Sequence, residues 1–272
     1  MQAEATDKAI ESLARRDRFV VLASLALLAI LAWVYTFLVA PPGAEGGQRG
    51  EMGAMAGMAG MAMGAWKPWT VTEAALMLVM WVVMMAAMMI PSAAPMMLAF
   101  ARIGRARTET PGLMTSGAAF LLGYLVLWVT FGLFATTGQG LLHAAALLSP
   151  SMASASPIFS GTVLIAAGIY QFTPLKGACL AKCRTPLAFL LTEWRDGIRG
   201  AFVMGLRHGL YCVGCCWLMM ALLFVAGVMN LVWIALLALV VLAEKALPYG
   251  QWVGRVLGIA AAAWGAWLLA FA

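Results

Sequence analysis

Acidic residues are scarce in this chain: 272 residues carry only 11 Asp and Glu, and with 17 Lys and Arg the charged share is 10%. A soluble protein has roughly 25%. With 64% hydrophobic residues, too few polar side chains exist to cover a folded body in water. That excludes a water-soluble globule, a disordered chain and a coiled coil. Histidine occurs twice. GxxxxGK[ST], HExxH and GxSxG do not occur, so phosphate-driven pumping, zinc proteolysis and hydrolase chemistry lack their usual parts. The net charge of +6 is no nucleic-acid footprint, because uncharged stretches longer than about twenty residues interrupt any basic groove.

What is present is long apolar sequence. A helix crossing hydrocarbon needs about 20 such residues, and charge-free runs of that length recur. Expected spans are Phe19 to Pro42, Trp69 to Ile90, Thr115 to Thr137, Pro157 to Thr173, one beginning near Ala201, one after a break at Gly227 to Asn230, and Trp252 to Phe271. The expected fold is an all-α polytopic transmembrane bundle of about seven spans. With the N-terminus cytoplasmic, 15 of the 17 cationic residues fall on the inner side, and only Arg49 and Lys67 lie outside, as the positive-inside rule requires. Three regions follow: 1–42, a cytoplasmic segment and first anchor; 43–68, an outer loop rich in Met, Gly and Ala; and 69–272, a six-span membrane domain.

The outer loop carries Met52, Met55, Met58, Met61 and Met63. A thioether is a soft, neutral ligand that survives oxidising surroundings, so spaced Met on a pliant backbone suits capture of Cu(I); the plainer alternative is a low-complexity linker. In the second span, Glu73, Met77, Met80, Met84 and Met88 fall within an arc of roughly 80° at about 100° per residue. This stripe would lead inward from the loop, with Glu73 at its mouth as a candidate proton site. Met also packs helices well, so a purely structural stripe is the competing reading.

All five cysteines lie in the second half, as Cys179-x3-Cys183 in an expected inner loop and Cys212-x2-Cys215-Cys216 in the fifth span. Thiols would thus face the reducing side and thioethers the oxidising one. Lys176, Lys182 and Arg184 flank the first pair and suit thiolates. On the fifth span, Met204, His208, Cys212, Cys215 and Met219 share about 80° of the wheel, with Cys216 just beyond. His208 and Met219 are about 16 Å apart along the axis, so the pattern reads as neighbouring sites. Cysteines that merely pack helices, with His208 bonded to a carbonyl, are the alternative. His143 is expected in an outer loop, Glu193 to Gly197 as a charged turn orienting the fifth helix, and Glu244 and Lys245 as a pair near the inner surface.

MMAAMMIPSAAPM from Met84 to Met96, YQFTPLKGACLAKCRTPLAF from Tyr170 to Phe189 and RHGLYCVGCCWLMMALLFVAGVMN from Arg207 to Asn230 resemble a bacterial family of predicted metal-binding integral membrane proteins with a domain of unknown function. The likeness runs from Trp69 to Ala272. It implies metal binding at Cys179, Cys183, His208, Cys212, Cys215 and Cys216, and a multi-pass place in the bacterial inner membrane, but names no metal.

The leading expectation is capture, transfer or transport of Cu(I), with zinc or another transition metal as the alternative ion. The competing expectation is a membrane oxidoreductase or a subunit of a redox complex with a fixed metal; whether the chain is an enzyme stays open. Expected partners are the lipid bilayer, a metal ion, and a copper chaperone or redox-complex protein, with no nucleic acid.

Overall fold

A peptide in hydrocarbon has to satisfy its own polar groups, and the charge-free runs accordingly become helices. The computed structural model describes residues 2–39, 69–107, 112–149 and 152–272. Its helices are α1 (Gln2–Val39), α2 (Val71–Arg107), α3 (Leu113–Ala144), α4 (Pro157–Tyr170), α5 (Pro174–Arg184), α6 (Pro186–Glu193), α7 (Gly197–Ala221), α8 (Leu223–Ala226), α9 (Leu231–Ala246) and α10 (Gly250–Ala270). Among the described residues there is no strand, only an isolated bridge between Leu148 and Ser154 that pins the turn joining α3 to α4.

The expected all-α membrane-type bundle is therefore what the chain forms. Five segments are long and apolar enough to cross a membrane, and α4 with α5 makes a sixth as a pair bent by 63°. The remaining member of the expected seven is α9, whose 16 residues fall short of the roughly 20 of a full crossing. The break at Gly227 to Asn230 lies where the sequence suggested. Gly227 has φ +99°, a left-handed conformation that glycine adopts without strain, and Asn230 caps α9 by accepting from the Trp233 N–H at 3.3 Å.

Some boundaries differ. The second span does not stop at Ile90: α2 runs through Pro91 and Pro95 to Arg107. Proline is tolerated inside apolar helices, and just ahead of Pro91 the Met89 carbonyl accepts from the hydroxyls of Ser92 (2.9 Å) and Tyr124 (3.2 Å). His143 is not in a loop but in the last turn of α3, exposed, its ring 6.1 Å from that of Trp69.

Two glycine seams set the closest approaches. On α7, a Cβ at Gly205 would collide with the Phe120 carbonyl of α3, and one on Gly123 of α3 with the Phe202 carbonyl of α7. Between α4 and α10, Gly161 and Gly168 face Gly265 and Gly258 in the same way. Small residues are what let apolar helices bring backbone against backbone. Large apolar side chains remain exposed on α1, α3, α4 and α10, more than a protein in water presents.

Candidate metal centre

The α3–α7 seam decides what the cysteine helix meets. Gly205 and Gly209 lie on α7 beside His208 and Cys212, and because they carry no side chain the Phe120–Tyr124 turn of α3 settles directly on them. Tyr124 thereby stacks on the His208 ring, with centroids 5.5 Å apart at 23°, and puts its hydroxyl 3.1 Å from Cys212 Sγ. Phe120 and Phe189 complete an aromatic box around His208, at 6.1 and 5.7 Å. The histidine is 3% exposed, and its Nδ1 has no hydrogen-bond partner. A buried imidazole nitrogen left unpaired loses its hydration without return. The carbonyl bond offered as the alternative for His208 is not made by this atom.

All three α7 cysteines are buried, and Cys215 and Cys216 each donate to the Cys212 carbonyl at 3.1 and 3.0 Å. The other pair joins them. Cys179 and Cys183 are not in a loop: α5 is helical, as its Pro174 start and Thr173 cap dictate, and it packs on α7. Cys179 Sγ sits over Gly214, where an added Cβ would push it aside, and Cys183 shares one buried cluster with Cys212, Cys215 and Cys216. Two motifs separated by about thirty residues of sequence thus make one thiol group, rather than two stations at different depths.

That meeting depends on the bend. After α4 ends, residues 171–173 turn the chain, and the Tyr170 hydroxyl donates to the Gly214 carbonyl. Non-helical backbone at membrane depth is tolerated where protein buries it or it lines a cavity, and residues 171–173 line one. An open cavity of about 540 Å³ lies against the bend, lined by Gln171, Lys176, Glu244 and Arg255 among others. At its wall Lys176, 3% exposed, donates to both Glu244 carboxylate oxygens at 2.8 Å and to Gln171, and reaches the Met219 sulfur at 3.8 Å.

The expected pairing of Glu244 with Lys245 does not occur. Neighbours on a helix point about 100° apart, so Glu244 turns to Lys176 while Lys245 turns the other way, donating to Ser92 Oγ at 3.1 Å and Cys212 Sγ at 3.0 Å. Removing one partner of a buried ion pair leaves an uncompensated charge, at a cost of about 3–5 kcal/mol. Lys176→Met should therefore lower the unfolding temperature in detergent markedly, and Lys176→Met with Glu244→Leu should recover most of the loss.

The methionine stripe reaches the same cluster. Met80, Met84 and Met88 are buried in it together with Met85, Met89, Met219 and Met220, and Met77 packs at its edge. Glu73 has a local task at the head of the stripe: its carboxylate accepts from the Thr70 N–H (2.7 Å) and hydroxyl (2.9 Å), and its own N–H donates to Thr70 Oγ1 (3.2 Å), a capping box. Met52, Met55, Met58, Met61 and Met63 lie outside the described residues. In the charged turn before α7, Asp196 caps without a side-chain bond to that helix, accepting instead from Trp194 at 2.8 Å, while Glu193 pairs with Arg207.

Several polar groups here were not singled out from sequence. Gln139, fully buried on α3, accepts from Trp81 at 2.7 Å and donates to the sulfurs of Met152 (2.9 Å) and Met77 (3.9 Å). Tyr124 acts in the same way, through partners remote in sequence, and so do Lys176 and Lys245, for which the sequence suggested other partners. A tyrosine, lysine or glutamine inside an apolar run was the only available signal.

Among the described residues no group of three or more His, Cys, Asp and Glu side chains is disposed to hold a metal ion. The ammonium of Lys245 lies directly against Cys212 Sγ, and the thioethers around the thiols belong to a different ligand class. The donor set is neutral sulfur, thiol and one unpaired imidazole nitrogen. It fits a soft monovalent ion of low coordination number and not a hard one. No curated protein and no solved structure matches the chain. The model of one protein family does, over residues 78–268, well over half of the length; that family is PpoB2, described as a copper chaperone.

Proposed function

We propose that this chain, which belongs to the PpoB2 family of copper chaperones, takes Cu(I) on its outer side, passes it down the α2 thioethers and holds it among thiols for transfer to an acceptor protein. The observation that carries this reading is the single buried cluster that holds Met80, Met84 and Met88 together with Cys183, Cys212, Cys215 and Cys216. Thioether sites bind cuprous ion more loosely than thiolate ones, so a descent from Met77 through Met88 to Cys212 and Cys215 runs downhill in affinity while the ion never meets a hard ligand. His208, with its unpaired Nδ1, supplies a nitrogen beside the thiols, and Cys179 lies at the edge of the group, on α5.

The distribution of Lys and Arg supports a cytoplasmic N-terminus and an inner-membrane location for this bundle. The Met52 to Met63 loop would then gather the ion outside. The broken α4–α5 pair and the open cavity beside it would give an acceptor a place to dock against α5, where discontinuous helices commonly form binding sites; none of the cysteines lines that cavity, so release of the ion would require the Lys176–Glu244 wall to move. Nothing in the chain couples to ATP, so the ion moves along its own gradient of affinity.

Anaerobic incubation of the detergent-solubilised chain with ascorbate-reduced copper, followed by removal of excess, tests the reading. Retained copper that a strong Cu(I) chelator withdraws is the expected result. A chain that retains none overturns it, and a permanent optical or EPR signature with electron turnover would favour the fixed redox centre instead.

A further inference from the structure

Two methionines outside the α2 stripe come from turns: Met229 lies beside Met80 and Met84, and Met152 shares the Gln139 amide with Met77. Met152 belongs to the turn after α3 and has φ +58°, a left-handed conformation that costs a side-chain-bearing residue about 1–2 kcal/mol. Such strain persists where surroundings enforce it, and it gathers at ligand clamps. Here the Leu148–Ser154 bridge closes the turn, the Met152 sulfur accepts from Gln139 at 2.9 Å, and its carbonyl accepts from the Val228 N–H at 3.4 Å. That last bond ties the turn to the segment before α9, which carries Met229.

Met229 lines a cavity together with Met80, Met84, Tyr35, Thr36, Val228 and Ile234. The cavity measures about 10 Å³, the space of roughly one water-sized sphere. The lining is mostly apolar. The Thr36 hydroxyl donates to the Ala32 carbonyl at 2.8 Å, Tyr35 and Thr36 are the only polar residues among the lining, no carboxylate or imidazole lines the space, and a held water needs two to four polar partners. Three thioethers around one ion-sized space offer neutral soft donors, and each Met has three rotatable bonds with which to turn its sulfur inward. A divalent ion would lose its hydration shell there without any charge to offset the loss.

We infer that Met80, Met84 and Met229 form a three-thioether site for cuprous ion, approached past the Met77 and Met152 sulfurs that converge on Gln139. This inference rests on the copper reading above and adds to it a second holding point whose third ligand comes from the turn before α9.

The test separates thioether from thiol by making them different elements. The full chain, with Met52, Met55, Met58, Met61 and Met63 replaced by Leu so that the outer loop gives no signal, is produced with selenomethionine and saturated anaerobically with Cu(I). Copper X-ray absorption then reads Cu–Se contacts for thioethers and Cu–S contacts for cysteine alone. The expected result is both shells in this parent. Met80→Leu with Met229→Leu, which keeps core volume and apolarity, should bind one copper fewer per chain and lose the Cu–Se shell with Cu–S unchanged. Cu–S alone in the parent, or Cu–Se that survives in the double variant, overturns the inference and leaves the thiol site standing. Cu–Se alone would uphold it and overturn the thiol site, and no bound copper would overturn both. Zn(II) in place of Cu(I) should give no Zn–Se shell; its appearance would overturn the selectivity argued here.

Discussion

Replacing Cys212 and Cys215 together with Ser should weaken Cu(I) retention by at least the roughly 100-fold that loss of a mere supporting residue around a metal can cost. Serine keeps the shape of cysteine but offers a hard oxygen, which a cuprous ion binds poorly. Both positions share one buried cluster with Cys183 of α5, so the double change removes two of the thiols there at once. The fold should tolerate it. Both side chains are small and buried, and the Cys215 donor to the Cys212 carbonyl has a direct counterpart in the serine hydroxyl. Copper per chain after gel filtration, beside an unchanged unfolding temperature, checks the prediction; undiminished retention would remove the thiols from the function.

Gly205→Val should have the largest structural effect of any single change. The new Cβ would fall on the Phe120 carbonyl of α3, and backbone cannot swing aside as the end of a flexible side chain can. Overpacking costs about 1–3 kcal/mol where side chains can adjust, and a backbone collision should exceed that. The helices must separate, and Tyr124 would leave both the His208 ring and Cys212 Sγ. Lower unfolding temperature and lost copper retention are therefore expected together. Gly117→Ala and Gly138→Ala, where an added Cβ meets nothing within 4 Å, are the controls: each should be neutral or gain about 0.5–1 kcal/mol, because glycine inside a helix is unfavourable. A Gly205→Val chain as stable as these would refute the close-packed seam.

Composition and the length of the charge-free runs determined the all-α membrane-type bundle and the order of its helices, because lipid leaves the backbone no other economical form. Soft-ligand chemistry was equally legible. Only a few residue types bind copper, they are clustered in this chain, and the wheel puts His208, Cys212 and Cys215 on one face whatever surrounds the helix.

Tertiary structure alone decided which faces meet. Cys179 and Cys183 read as a separate loop pair because the 63° bend between α4 and α5 sets where α5 lies against α7, and no local spacing encodes that angle. Glu244 and Lys245 looked like partners because they are adjacent, yet a helix sends consecutive side chains apart, and their true partners stand 68 and 33 positions away. Met152 and Met229 were indistinguishable from other methionines in apolar sequence until two turns brought them to α2. A helix constrains its own face through a fixed rotation per residue. Contacts between helices depend instead on crossing geometry and on glycines that permit close approach, and these exist only once the chain has packed.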